Sequence, residues 1–127
     1  MNKFHAKKTA CAYGCLHASK KEAQRCNALH LLQEEGVISD LQTQVAFELM
    51  PFMKYPKLTL PRTWLPKACK PLGNERKITY IADFVYQAEG FRIVEDVKGK
   101  RTKEYVLKRK LFRSLYCLNS GTIFVET

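Results

Sequence analysis

Apolar positions along this 127-residue chain change their period several times, and each change predicts an element. Residues Lys8–His17 read as a short β-hairpin turning at Tyr13-Gly14, where the glycine supplies the positive φ of a tight turn. Ser19 opens a helix that runs to about Glu35. Ser19-x-x-Glu22 has capping-box spacing, and Gly36 follows the last periodic residue as a natural stop. Along that helix Glu22, Cys26, Leu29 and Gln33 fall on one stripe, with Leu32 beside it. The segment Val37–Leu49 begins extended and ends in Val45-Ala46-Phe47-Glu48-Leu49, which alternates as a strand does.

Two further strands are predicted at Lys77–Tyr86 and Phe91–Lys98. The short turn Gln87–Gly90 between them makes the pair antiparallel. Thr102–Tyr116 reads as a second helix with Tyr105, Lys108, Leu111, Phe112, Leu115 and Tyr116 near one side, and Thr122–Val125 as a last short strand. Between the two halves, Pro51, Pro56, Pro61, Pro66 and Pro71 recur every five residues. They remove backbone donors and fix φ, so 51–76 is a loop rather than a helix or a central strand. Its Lys54, Tyr55, Lys57, Arg62, Trp64, Lys67 and Lys70 suit a loop lying along a nucleic-acid backbone; the competing expectation is that Trp64 packs the loop onto the domain and the lysines only solvate it. The length supports one domain, 1–127, with its own core. The fold class is α/β: a central mixed sheet flanked by helices.

Charge narrows the partners. With 22 basic and 12 acidic residues the net charge is 22 − 12 = +10, which favours a polyanion, nucleic acid before membrane. No apolar run reaches the roughly 18 residues a membrane span needs. The charged start Met1–Lys8 has no apolar stretch behind it, so the expected location is the cytoplasm. Five cysteines make an odd set without C-x-x-C spacing, and free thiols are the expectation. A zinc set drawn from Cys11, Cys15, His17, Cys26 and His30 is disfavoured: its spacings are loose, and Cys11 and Cys15 flank the tight turn.

The candidate chemistry lies on the paired strands. Asp83 stands between Ile81 and Val85, an unexpected place for a carboxylate, since burying one costs several kcal/mol unless it is paired or metal-bound. On the next strand, alternation puts Asp96 and Lys98 on one face with Val94, and Glu95 and Val97 on the other. Two carboxylates able to hold a hard cation, with an ammonium beside them, are the parts of a metal-dependent phosphodiesterase site. The competing reading is an ion-pair cluster on a solvated sheet face. Glu22 has two readings as well, a cap on the Ser19 N–H or a carboxylate turned toward a cation.

Five blocks carry a resemblance. Ser19-Lys20-Lys21-Glu22-Ala23, Gly36–Leu41, Ile78–Phe84, Val94–Gly99, and Thr102–Tyr105 with Lys108–Phe112 resemble a phage and prophage family of small proteins of unknown function. That family is similar to the PD-(D/E)XK nucleases, near the Holliday-junction-resolving endonucleases and a transposon end-cleaving nuclease. The resemblance implies a restriction-endonuclease-like core and a Mg²⁺-dependent DNA endonuclease, with Mn²⁺ able to substitute. Glu22, Asp83 and Asp96 would then be metal-binding acids, joined by the Val97 carbonyl, with Lys98 as the catalytic amine. Ala82-Asp83 stands where the family name has Pro-Asp. Lys20, Lys21, Lys100, Arg101 and Lys103 would clamp phosphates. The implied substrate is branched DNA or a recombination intermediate, cut by a homodimer in a bacterial host. The alternative is a catalytically inactive nucleic-acid-binding accessory protein on the same fold. The stretch 51–76 is longer than the family pattern and inherits nothing from it.

Overall fold

The computed structural model describes residues 8–57, 64–98 and 101–127. The expectations for Met1–Lys7, Pro61, Arg62, Gly99 and Lys100 lie outside the described residues. The chain runs β1 (Thr9–Ala10), β2 (Leu16–His17), α1 (Lys20–Glu34), β3 (Ser39–Met50), β4 (Ile78–Ala88), β5 (Phe91–Asp96), α2 (Lys103–Phe112), a π-helical turn (Arg113–Cys117) and β6 (Thr122–Glu126). β1 and β2 form a two-stranded antiparallel hairpin. The other four strands make one mixed sheet in the order β3-β4-β5-β6, with only β5 and β6 parallel. The molecule is therefore α/β, with a mixed central sheet. No described helix is long and apolar enough to cross a membrane.

Local chemistry explains most boundaries. The Ser19 side chain accepts from Glu22 N–H to start α1, and Gly36 at φ 80 ends its last turn. Thr102 caps α2 in the same way by accepting from Tyr105 N–H. The β4–β5 turn is tighter than expected, just Glu89-Gly90, both at positive φ. That matches the right-handed twist of the paired strands. The parallel β5–β6 pair requires a crossover, and α2 supplies it.

Two apolar clusters cover the two faces of the sheet. Phe47, Leu49, Tyr80, Ala82, Val85 and Val94 pack with Tyr105 and Phe112 of α2. Ala23, Cys26 and Leu29 of α1 pack with Cys11, Ile38, Phe84 and Tyr86. The α1 stripe holds through Leu29, while Gln33 is exposed and accepts from Leu41 N–H. The predicted α2 stripe holds at Tyr105, Phe112 and Tyr116, the last stacked on Phe112, whereas Leu111 is exposed. The π-helical turn changes the winding after Phe112 and leaves Leu115 exposed. Most of 51–57 and 64–76 is irregular, apart from the Met53–Glu75 bridge. Trp64 is 73% exposed, so it does not pack the loop down.

Alternation in β4 is interrupted at Asp83, against expectation. Tyr80 and Ala82 face the α2 side, yet Phe84 and Tyr86 face the α1 side. Thr43 pairs with Phe84 and Val45 with Ala82, but the intervening Gln44 and Asp83 are not ladder partners, and Gln44 adopts φ 54. The pleat changes phase at this point. Ile81 is exposed and Val85 buried, so Asp83 does not share one regular face with both. It sits where the two faces meet.

Candidate functional site

β5 keeps its phase, and its side chains divide as the sequence predicts. Val94 and Asp96 lie on the α2 side, where the Tyr80 hydroxyl donates to Asp96 Oδ2. Glu95 lies on the α1 side, held by Arg25 and by the Tyr86 hydroxyl. Asp96 is only 3% exposed. Its Oδ1 lacks a well-directed hydrogen bond, although Lys98 Nζ stands 2.7 Å away as an ion partner. The Lys98 ammonium also lies 3.6 Å from the Tyr105 ring centroid, which holds it in place. This is not a solvated ion-pair face.

Asp83 connects that pair to α1. Its Oδ2 accepts from Val97 N–H at 2.8 Å. Burial pushes its carboxyl up to about 7, and the Glu22 carboxylate pushes the same way, against the opposing pull of the Val97 N–H and Asp96. Burial also raises Asp96, to about 6. Asp83 adds to that rise, while Lys98 and Tyr80 oppose it. Glu22, Asp83 and Asp96 thus form a row of carboxylates with Asp83 in the middle. The surrounding cleft is lined by Thr79, Tyr80, Asp83, Asp96, Lys98 and Tyr105.

Glu22 has a role the capping box does not predict. Rather than reaching the Ser19 N–H, its Oε2 accepts from Ala18 N–H at 3.1 Å and from His17 Nδ1 at 2.9 Å. Burial of His17 and Glu22 together makes that pairing favourable. Of the predicted phosphate contacts, Lys21 Nζ donates to the Lys98 carbonyl at 2.9 Å, beside the acids. Arg101 is tied to Glu126 at 3.0 Å, and Lys20 and Lys103 are at or near the surface.

Among the described residues, one group of three or more metal-type donors closes to within 4.8 Å of one another, and it is not the carboxylate row. It is Cys11, Cys15, His17 and Cys26. The tight turn that argued against a cluster is what assembles it. Gly14, at φ 83, donates to the Cys11 carbonyl, Cys11 N–H donates to Cys15, and Ala12 N–H is held by Asn27 of α1. His30 stands aside, stacked on Tyr13 at 4.1 Å. The signal in the sequence was C-x₃-C-x-H followed by a cysteine on the buried stripe of α1.

Neither the comparison with curated proteins nor that with solved structures returned a match. A family model described as "Protein of unknown function (DUF1064)" matches residues 1–125. The chain therefore belongs to the DUF1064 family.

Proposed function

We propose that the chain is a metal-dependent endodeoxyribonuclease, with Asp83, Asp96 and Lys98 as its working groups. One observation carries this reading: a buried carboxyl, Asp96, beside a half-buried one, Asp83, raised to about 6 and about 7, with an immobilised ammonium 2.7 Å from Asp96. Such an arrangement is unfavourable as a structural ion pair and is the kind of perturbation that functional sites accumulate.

The donor chemistry fits a hard divalent cation. Asp83 and Asp96 offer oxygen ligands that the Val97 carbonyl would join, and Asp96 Oδ1 is poorly satisfied where it stands. Glu22 fits less well as a direct ligand, because its Oε2 is engaged by His17 and Ala18. When bound, Mg²⁺ or Mn²⁺ would supply the Lewis acidity that activates water and offsets phosphoryl charge. The protein's own groups do the rest. Tyr80 and Lys98 fix the Asp96 carboxylate, and the Val97 N–H fixes Asp83. Lys98 presents a fixed positive charge toward an incoming phosphate, stabilising charge that develops during hydrolysis. Lys20, Lys21 and Lys103 attract the backbone without reading bases.

The net charge of +10 supports a nucleic-acid substrate. Branched DNA, cutting by a homodimer and a phage or prophage origin rest on the sequence resemblance to the PD-(D/E)XK nucleases. The test is cleavage of four-way junctions, plasmid and single strands in Mg²⁺ or Mn²⁺, with and without chelator, for wild type and Lys98→Ala. Metal-dependent cutting lost in the variant is expected. Survival of every substrate would overturn the reading in favour of a non-cutting DNA-binding protein.

A further inference from the structure

We propose that the β1–β2 hairpin and α1 form a structural Zn²⁺ site, with sulfur from Cys11, Cys15 and Cys26 and the Nε2 nitrogen of His17. It shares only Glu22 with the carboxylate row, as the partner of His17, and does not depend on nuclease activity.

Geometry comes first. The three sulfurs and a ring nitrogen of His17 lie within 4.8 Å of one another. Zinc–sulfur bonds of about 2.3 Å in a tetrahedron put sulfurs about 3.8 Å apart, so little adjustment is needed. Cys26 is fully buried, Cys11 nearly so, and none of the three is in a disulfide.

His17 supplies the second, independent observation. It is 2% exposed, and among the described residues its buried Nε2 meets no hydrogen-bond partner of good geometry. A nitrogen left in that state is unfavourable unless something occupies its lone pair. Its other nitrogen, Nδ1, faces the Glu22 carboxylate at 2.9 Å. A proton on Nδ1 leaves Nε2 as the acceptor, and this carboxylate–histidine pairing is how zinc-binding imidazoles are oriented. The Glu22 bond thus fixes the tautomer that the metal requires.

Packing supplies a reason for the metal. A sheet of two strands, each two residues long, cannot sustain itself in water. A four-ligand site would pin the hairpin to α1. With all four positions filled by protein, the site is closed and its metal holds structure rather than reacting with substrate. On binding, the three thiols release their protons to solvent, and His17 binds as neutral imidazole. A disulfide explains less: it would join two of the three sulfurs and leave His17 Nε2 as it is.

The experiment takes the full-length chain as purified without added zinc and measures metal content by elemental mass spectrometry. It then exchanges in Co²⁺ and records the absorption spectrum. One zinc per chain is expected in wild type and equally in Asp96→Ala. The cobalt form should show strong thiolate-to-cobalt charge transfer, weakened in Cys15→Ser, whose partly exposed position makes that variant the one best able to fold. Glu22→Gln should keep the band but bind about 10- to 100-fold more weakly. Three results would each overturn the proposal: wild type that neither carries zinc nor gains thermal stability from it, a cobalt spectrum without thiolate charge transfer, or zinc lost in Asp96→Ala. A wild-type mass two hydrogens short under non-reducing conditions would overturn it too, in favour of a disulfide.

Discussion

The two clusters beside α1 differ in how they are held. Asp83 and Asp96 rest on strands, and Glu22 on α1, whose positions are fixed by two packed cores, so the geometry of the row would persist without any ion. The thiol cluster joins a hairpin of two-residue strands to α1, with Cys11 and Cys26 in the α1-side core and Cys15 at its margin. Oxygen donors on a rigid sheet suit a labile hard cation that takes part in chemistry. Sulfur and imidazole on a weak hairpin suit a permanent soft one that maintains shape. Glu22 belongs to both, reaching His17 on one side and Asp83 on the other.

The sharpest way to separate the regions is to damage each and read both activity and stability. Lys98→Ala should lower metal-dependent cleavage by about 100- to 1000-fold, with unfolding temperature and zinc content near wild type. A large fall in stability instead would mean that Lys98 is merely structural. Cys26→Ser should do the reverse. A hydroxyl placed where Cys26 is fully buried costs about 1–3 kcal/mol even before metal is counted, a drop in melting temperature of roughly 5–10 °C by calorimetry.

Acidity distinguishes the regions in another way. Burial holds Asp83 up to about 7 and Asp96 up to about 6, so between about pH 4 and 7 the folded chain retains protons that the unfolded chain has released. Stability of the protein free of Mg²⁺ should therefore fall as pH rises through that window, by on the order of 2 kcal/mol after allowing for partial solvent exposure. Asp83→Asn should flatten the curve in chemical denaturation, and added Mg²⁺ should offset the loss most at the alkaline end. An unchanged slope in Asp83→Asn would remove the carboxylate row as the source. The smallest effect is expected at Lys21, where replacement by Ala should reduce the salt dependence of DNA binding by about one phosphate contact and leave both clusters intact.

How much of this could be read from residue order varied by element. The first helix cap and the β5 alternation were legible because they depend on local spacing: Ser19 caps as its position suggests, and Asp96 and Glu95 take opposite faces. The phase change in β4 was not, because it depends on Gln44 in another strand 39 positions before Asp83 in the numbering. The thiol cluster was partly visible. Its members were recognisable, but loose spacing hid that a folded turn would bring them together. The role of Glu22 was obscured because a capping box explains that residue adequately until His17 is seen beside it.

The left-handed residue Gln44 has a consequence beyond the placement of Asp83. β3 is an outer strand, twelve residues long, and among the described residues no strand pairs with its outer side, the kind of edge on which another chain could lay down a strand. Asp40 and Gln44, both at φ 54, break the regular spacing of its free amides and carbonyls. The kink that displaces Asp83 on one side thereby leaves an irregular edge on the other, of the kind that disfavours strand addition.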